Sequence, residues 1–98
     1  MSATLQGRVL IVDDDPDFST VTRELVEIEG FSARLAMSGA EAMQLCQKQP
    51  FDAVLLDLKL GSASGLDVLR DLRSQWPDLP VIVVTAHGSL ESAAAAER

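Results

Sequence analysis

Four short apolar runs alternate along the chain with stretches of helical character, and this alternation leaves few folds open. The first run, Arg8-Val9-Leu10-Ile11-Val12, ends abruptly at Asp13-Asp14-Asp15-Pro16. A buried strand followed by a helix start fits that wording, with Pro16 suited to the first helical turn and an acidic residue to the cap. Phe18, Val21, Leu25 and Ile28 then follow at helical spacing, and Gly30 stops the helix. Phe31 to Ala36 predicts a second, weaker strand. Ser38-Gly39-Ala40-Glu41 has the serine-to-glutamate spacing of a capping box, and Ala42, Met43 and Cys46 follow on one helical face. Pro50 ends that helix. Asp52 to Asp57 forms a third strand, apolar along most of its length as a strand covered on both faces should be. A loop from Leu58 to Ser64 leads into a third helix carrying Leu66, Leu69 and Leu72. Pro77 and Pro80 bracket the turn after it, and Trp76 is expected to pack at the helix end. Pro80 to Thr85 is the fourth and most apolar strand. Ser89 caps a final helix running to Arg98, in which the run Ala93 to Ala96 favours helix.

The order is therefore βαβαβαβα, which implies a parallel sheet with helices on both faces. Right-handed crossovers make a doubly wound α/β sheet the leading architecture. Ninety-eight residues suffice for one such domain and not two. No internal repeat or interdomain linker interrupts it. The formal net charge of −7 argues against a general basic surface for nucleic acid or anionic membrane. The lone cysteine, Cys46, cannot form an internal disulfide. No basic-then-apolar leader opens the chain and no apolar run is long enough to span a bilayer, so a cytoplasmic location is the expectation.

In doubly wound sheets, ligands bind beyond the carboxyl ends of the strands. The first strand ends in Asp13 and Asp14, the third in Asp57 and the fourth in Thr85. If these strands are neighbours, three carboxylates and a hydroxyl converge. Such carboxylates repel one another unless a cation joins them, and hard oxygen ligands suit Mg²⁺ or Mn²⁺. A metal there can neutralise an incoming phosphoryl group, and a carboxylate such as Asp57 is a known kind of nucleophile for phosphoryl transfer. Thr85 could then donate a hydrogen bond to a phosphoryl oxygen. Each residue has a plainer reading beside this one. An Asp run before a helix caps it and complements its dipole, which is the preferred reading of Asp15. An Asp closing an apolar strand is commonly the first residue of a turn, and a threonine in that position often bonds only to backbone.

The residues Leu10-Ile11-Val12-Asp13-Asp14-Asp15, Val54-Leu55-Leu56-Asp57-Leu58, Gly65-Leu66-Asp67 and Pro80-Val81-Ile82-Val83-Val84-Thr85-Ala86 occur together in the order and approximate spacing of one family. Across nearly its whole length the chain resembles the receiver domain of two-component response regulators. The resemblance implies a flavodoxin-like fold with strand order 2-1-3-4-5. It implies that Asp57 takes a phosphoryl group from a sensor histidine kinase. Asp13 and Asp14 would bind Mg²⁺, Asp14 directly and Asp13 through water, with Asp57 and the backbone carbonyl of Lys59 completing the protein ligands. Thr85 would be the switch hydroxyl, and the small Ala86 would leave room for it. An output domain in a longer parent protein would read the signal, and Thr85-Ala86-His87-Gly88 resembles receivers of enhancer-binding transcription activators.

Departures from the family pattern set further expectations. The usual proline four residues after the acceptor is Gly61 here, so a more mobile loop is expected. Receivers also have a fifth strand with a site lysine and an aromatic switch residue, then a fifth helix. This chain ends at Arg98, within the expected fourth helix, and its only lysines are Lys48 and Lys59. Residues 1–98 are therefore expected to form a C-terminally incomplete receiver domain with strand order 2-1-3-4. The fourth strand would then be an uncovered edge, inviting self-association. His87 is read as a solvated loop histidine. Two other function classes compete with the signalling module. One is a receiver-like binding module that does not switch, given the missing lysine and aromatic. The other is a phosphatase working through an aspartyl-phosphate, against which Lys59 stands where a second Asp is typical.

Overall fold

A computed structural model of the chain describes residues 7–60 and 63–84, with only the backbone described at 59, 60 and 63. In chain order the elements are β1 (Gly7–Val12), α1 (Pro16–Ile28), β2 (Phe31–Ala36), α2 (Gly39–Lys48), β3 (Ala53–Asp57), β4 (Lys59–Leu60), β5 (Ala63–Ser64), α3 (Gly65–Gln75) and β6 (Val81–Val84). The four long strands form one parallel sheet in the order β2-β1-β3-β6. With β6 as the fourth strand of the alternation, this is the 2-1-3-4 order expected from the sequence. Thr85, Ala86, His87, Ser89 and Ala93 to Ala96 lie outside the described residues.

Local chemistry accounts for the element ends. Asp15 is the N-cap of α1, and its Oδ1 accepts from the backbone N–H groups of Asp17 and Phe18 at 3.0 and 3.3 Å. Pro16 fills the first turn, where its missing N–H costs nothing. At the other end Gly30 takes φ +98°, a left-handed conformation that a side chain would strain. The capping box of α2 forms with a one-residue variation. Ser38 Oγ accepts from the Glu41 N–H at 3.1 Å, but Glu41 Oε1 accepts from the N–H of Met37, one residue before the cap, at 2.6 Å.

Alternation along the strands divides the sheet into two faces. Leu10, Val12, Val54, Leu56 and Val83 pack with Ala42 and Cys46 of α2 and Val68, Leu69 and Leu72 of α3. Met43 and Trp76 are partly buried against this core, as the sequence led us to expect. Val9 and Ile11 point to the other face, where α1 lies against β1 and β2.

The stripe Phe18, Val21, Leu25, Ile28 is helical as expected, and Val21, Leu25 and Ile28 are 53, 60 and 77% exposed. The buried residue of α1 is Ser19, whose Oγ donates to the carbonyls of Asp15 and Pro16, and the half-buried Thr22, Arg23 and Val26 continue its face. One sequence reading needs correction: the segment after Asp57 is not wholly loop. Lys59 pairs with Ser64 and Leu60 with Ala63 as a short antiparallel ribbon. Such a ribbon is stapled by backbone hydrogen bonds, which leave no hydrophobic period to read.

Candidate functional site

The strand order is what builds the site. Because β1 and β3 are direct neighbours with Val12 opposite Leu56, the residues that follow Val12 and Leu56 emerge side by side. Asp13, Asp14 and Asp57 each offer a carboxylate oxygen, and these oxygens lie within 4.8 Å of one another. Asp57 is also the last paired residue of β3, opposite Val84 of β6.

The three carboxylates sit in different surroundings. Asp13 is 3% exposed, with its backbone N–H donating to the Ala36 carbonyl at 3.0 Å. Its Oδ1 accepts from the Asp15 N–H at 2.9 Å. Burial pushes the Asp13 carboxyl above its ordinary value of 3.8. The Asp15 hydrogen bond pulls the other way, and the charges of Asp57, Asp15 and Asp14 add to the rise. Asp57 as a whole residue is 8% exposed, whereas Asp14 is exposed. Asp15 does not join the cluster; its side chain is spent on the helix cap.

This donor set fits a hard divalent cation. All three ligands are carboxylate oxygens, one side of the cluster faces water, and a cation would relieve the mutual repulsion registered at Asp13. Lys59 enters the structure as the first residue of β4, two residues beyond Asp57. A narrow crevice lined by Ile11, Phe18, Thr22, Leu55 and Val84 runs beside Asp13 and Asp57. A second, wider groove lies at the opposite end of the strands, between Phe51, Trp76 and Pro80, away from the carboxylates.

Sequence reasoning gave Gly65 no role of its own. The structure sets its Cα against the backbone of Asp57 and Leu58, so closely that a Cβ would fall 2.6 Å from the Asp57 carbonyl oxygen. The available signal was a glycine at the first turn of a helix that follows a site loop.

Comparison with known proteins agrees with this fold. The family described as response regulator receiver domain matches residues 9–98. The alginate biosynthesis transcriptional regulatory protein AlgB of Pseudomonas putida is 46% identical over 88 residues, which is 90% of this chain and 20% of that protein. The chain thus spans about a fifth of the length of such relatives. Among solved structures, the receiver domain of NtrX from Brucella abortus superposes with a TM-score of 0.85 at 30% identity, covering 92% of this chain and 77% of that one. A response regulator protein from Burkholderia pseudomallei, solved with a phosphorylated aspartic acid, calcium ion and citrate, has a TM-score of 0.81 at 30% identity, covering 92% and 53%. With the element order, the sheet topology and the match over residues 9–98 in agreement, the chain belongs to the response regulator receiver domains of two-component signalling.

Proposed function

We propose that Asp57 is the phospho-acceptor of this receiver domain and that Asp13, Asp14 and Asp57 hold Mg²⁺, or Mn²⁺ in its place. The observation that carries this reading is the convergence of the three carboxylates within 4.8 Å at the carboxyl end of adjacent parallel strands. A carboxylate oxygen of Asp57 attacks phosphorus, the bond from phosphorus to the donor breaks, and the donor leaves with its electron pair. The product is a mixed anhydride between phosphate and the Asp57 carboxyl. When bound, the metal offsets negative charge as the phosphoryl group meets an acidic site. Asp13, anchored by the Asp15 N–H, and the exposed Asp14 supply the other side-chain ligands, and the Lys59 carbonyl supplies a backbone one. Thr85 acts as the hydroxyl that answers phosphorylation. The phosphorylated aspartic acid and calcium ion in the similar protein from Burkholderia pseudomallei support the same assignment here.

The natural donor is a sensor histidine kinase, and an output domain in a longer parent protein reads the result; AlgB, a transcriptional regulatory protein, supports this. The chain takes up one phosphoryl group and is not a turnover enzyme. It acts in the cytoplasm. Among the described residues no helix is long and apolar enough to cross a membrane. Residues 1–98 act as one receiver unit.

Intact-mass measurement after incubation with Mg²⁺ and acetyl phosphate tests the reading. One phosphoryl adduct is expected, abolished by Asp57→Asn and by chelation of the metal. Folded protein without an adduct would sink it and leave a binding module that does not switch. Steady release of phosphate from monoesters would point instead to a phosphatase.

A further inference from the structure

We infer that Gly65 is a positioning residue for the cation and phosphoryl site, because it is the only kind of residue that lets the hairpin after Asp57 close against the acceptor's own backbone; this rests on the function proposed for Asp57. A Cβ built on Gly65 would meet Leu58 Cα at 2.5 Å, the Asp57 carbonyl oxygen at 2.6 Å and the Leu58 carbonyl oxygen at 2.7 Å. All three atoms are backbone, so no flexible side chain can swing aside. The requirement is one of space and not of backbone conformation, since Gly65 is not among the positive-φ glycines.

The same contact closes the hairpin. The Gly65 N–H donates to the Leu58 carbonyl at 2.9 Å, and Lys59 opposite Ser64 continues the ribbon from there. The flanking elements have little freedom to yield. Asp57 is paired with Val84 in the sheet, and α3 is anchored by the buried Val68, Leu69 and Leu72. An added methyl at position 65 therefore displaces the segment that starts at Leu58 and carries Lys59, and it presses on the carbonyl of Asp57 itself. Both changes reach the acceptor and its metal ligands through the backbone.

The test compares wild type, Gly65→Ala and Ser64→Ala. Ser64 caps α3 through a side-chain bond from the Leu66 N–H at 3.2 Å, so its loss weakens the helix start while leaving the backbone contact intact. Mg²⁺ affinity is read by titration calorimetry with the metal alone, and adduct formation by intact mass with acetyl phosphate. All three are studied in trimethylamine N-oxide, which favours the compact state, with folding checked by circular dichroism. Gly65→Ala should bind Mg²⁺ about tenfold more weakly, the scale seen when groups that orient metal ligands are lost. It should also take up phosphoryl correspondingly more slowly. Ser64→Ala should melt a few degrees lower with Mg²⁺ affinity unchanged. Equal Mg²⁺ affinity in Gly65→Ala and wild type overturns the inference, as does failure of Gly65→Ala to fold in the osmolyte, which makes the residue one of general architecture. If wild type neither binds Mg²⁺ nor forms an adduct, the function proposed for Asp57 fails first, and the inference falls with it.

Discussion

The backbone N–H of Asp15 donates to Oδ1 of Asp13 at 2.9 Å, while the Asp15 side chain caps α1. One turn of backbone thus ties the start of a helix to a buried carboxylate of the proposed metal site. Asp13 can keep its orientation without a cation, but its charge remains costly because it is buried, and Asp57 and Asp14 add to that cost.

Asp13→Asn should therefore stabilise the metal-free protein. Asparagine keeps an oxygen to accept the Asp15 N–H and loses the charge. The sign with pH follows from the raised carboxyl. Stability from this group is present below the unfolded value of 3.8 and is lost as pH rises through the higher folded value. Urea denaturation in chelator across that range should show the wild type losing more stability than the variant. With Mg²⁺ at a hundred times its dissociation constant the order should narrow or reverse, because binding adds about 2.7 kcal/mol to the wild type.

Gly39 begins α2 with its Cα facing Val68 of α3, and a Cβ there would lie 2.6 Å from Val68 Cγ2. Gly39→Ala should cost about 1–2 kcal/mol by overpacking, despite the better helix propensity of alanine. Val68→Ala alone also destabilises by leaving a gap in the core. The double variant should lose less than the sum of the two, a coupling that denaturant melts of all four proteins would measure. Simple additivity would remove the close contact as the explanation.

Cys46 is 9% exposed, and burial pushes its thiol above 9.0. Thiol-directed reagents at mildly alkaline pH should label it slowly in the native protein and rapidly in urea. Its contribution to stability is complete below 9.0 and is lost as pH rises toward the higher folded value. A Cys46→Ala protein should lack this alkaline dependence, whatever its own loss of packing. Native labelling as fast as that of a free thiol would mean the site opens readily.

Ile82 of β6 is 49% exposed, and with Val21, Leu25 and Ile28 of α1 it adds large apolar side chains to the surface. β6 is also the edge of the described sheet. Apolar edges of this kind pair with other chains. We expect self-association at micromolar concentration in sedimentation, reduced by Ile82→Lys, with little loss of fold because the side chain is already half in water. A clean monomer that melts cooperatively would count against this.

The sequence alone determined the local structure and the identity of the acidic candidates. Apolar runs of strand length, Pro16 behind an acidic cap, the serine-to-glutamate box and Gly30 are signals that neighbouring residues complete among themselves, so they are legible without a fold. The carboxylates at the ends of the first and third runs could be named in the same way. Their convergence could not be read from spacing. It depends on β3 pairing with β1 in a register that sets Val12 beside Leu56, a choice made by hydrogen bonds between distant segments. The side of α1 that meets the sheet was likewise decided by packing, which seated Ser19 and left Leu25 and Ile28 in water. The closure of the chain on Gly65 was a third such decision. A glycine's letter shows no contact, and only the folded backbone brings the carbonyl of Asp57 to where a side chain would have been.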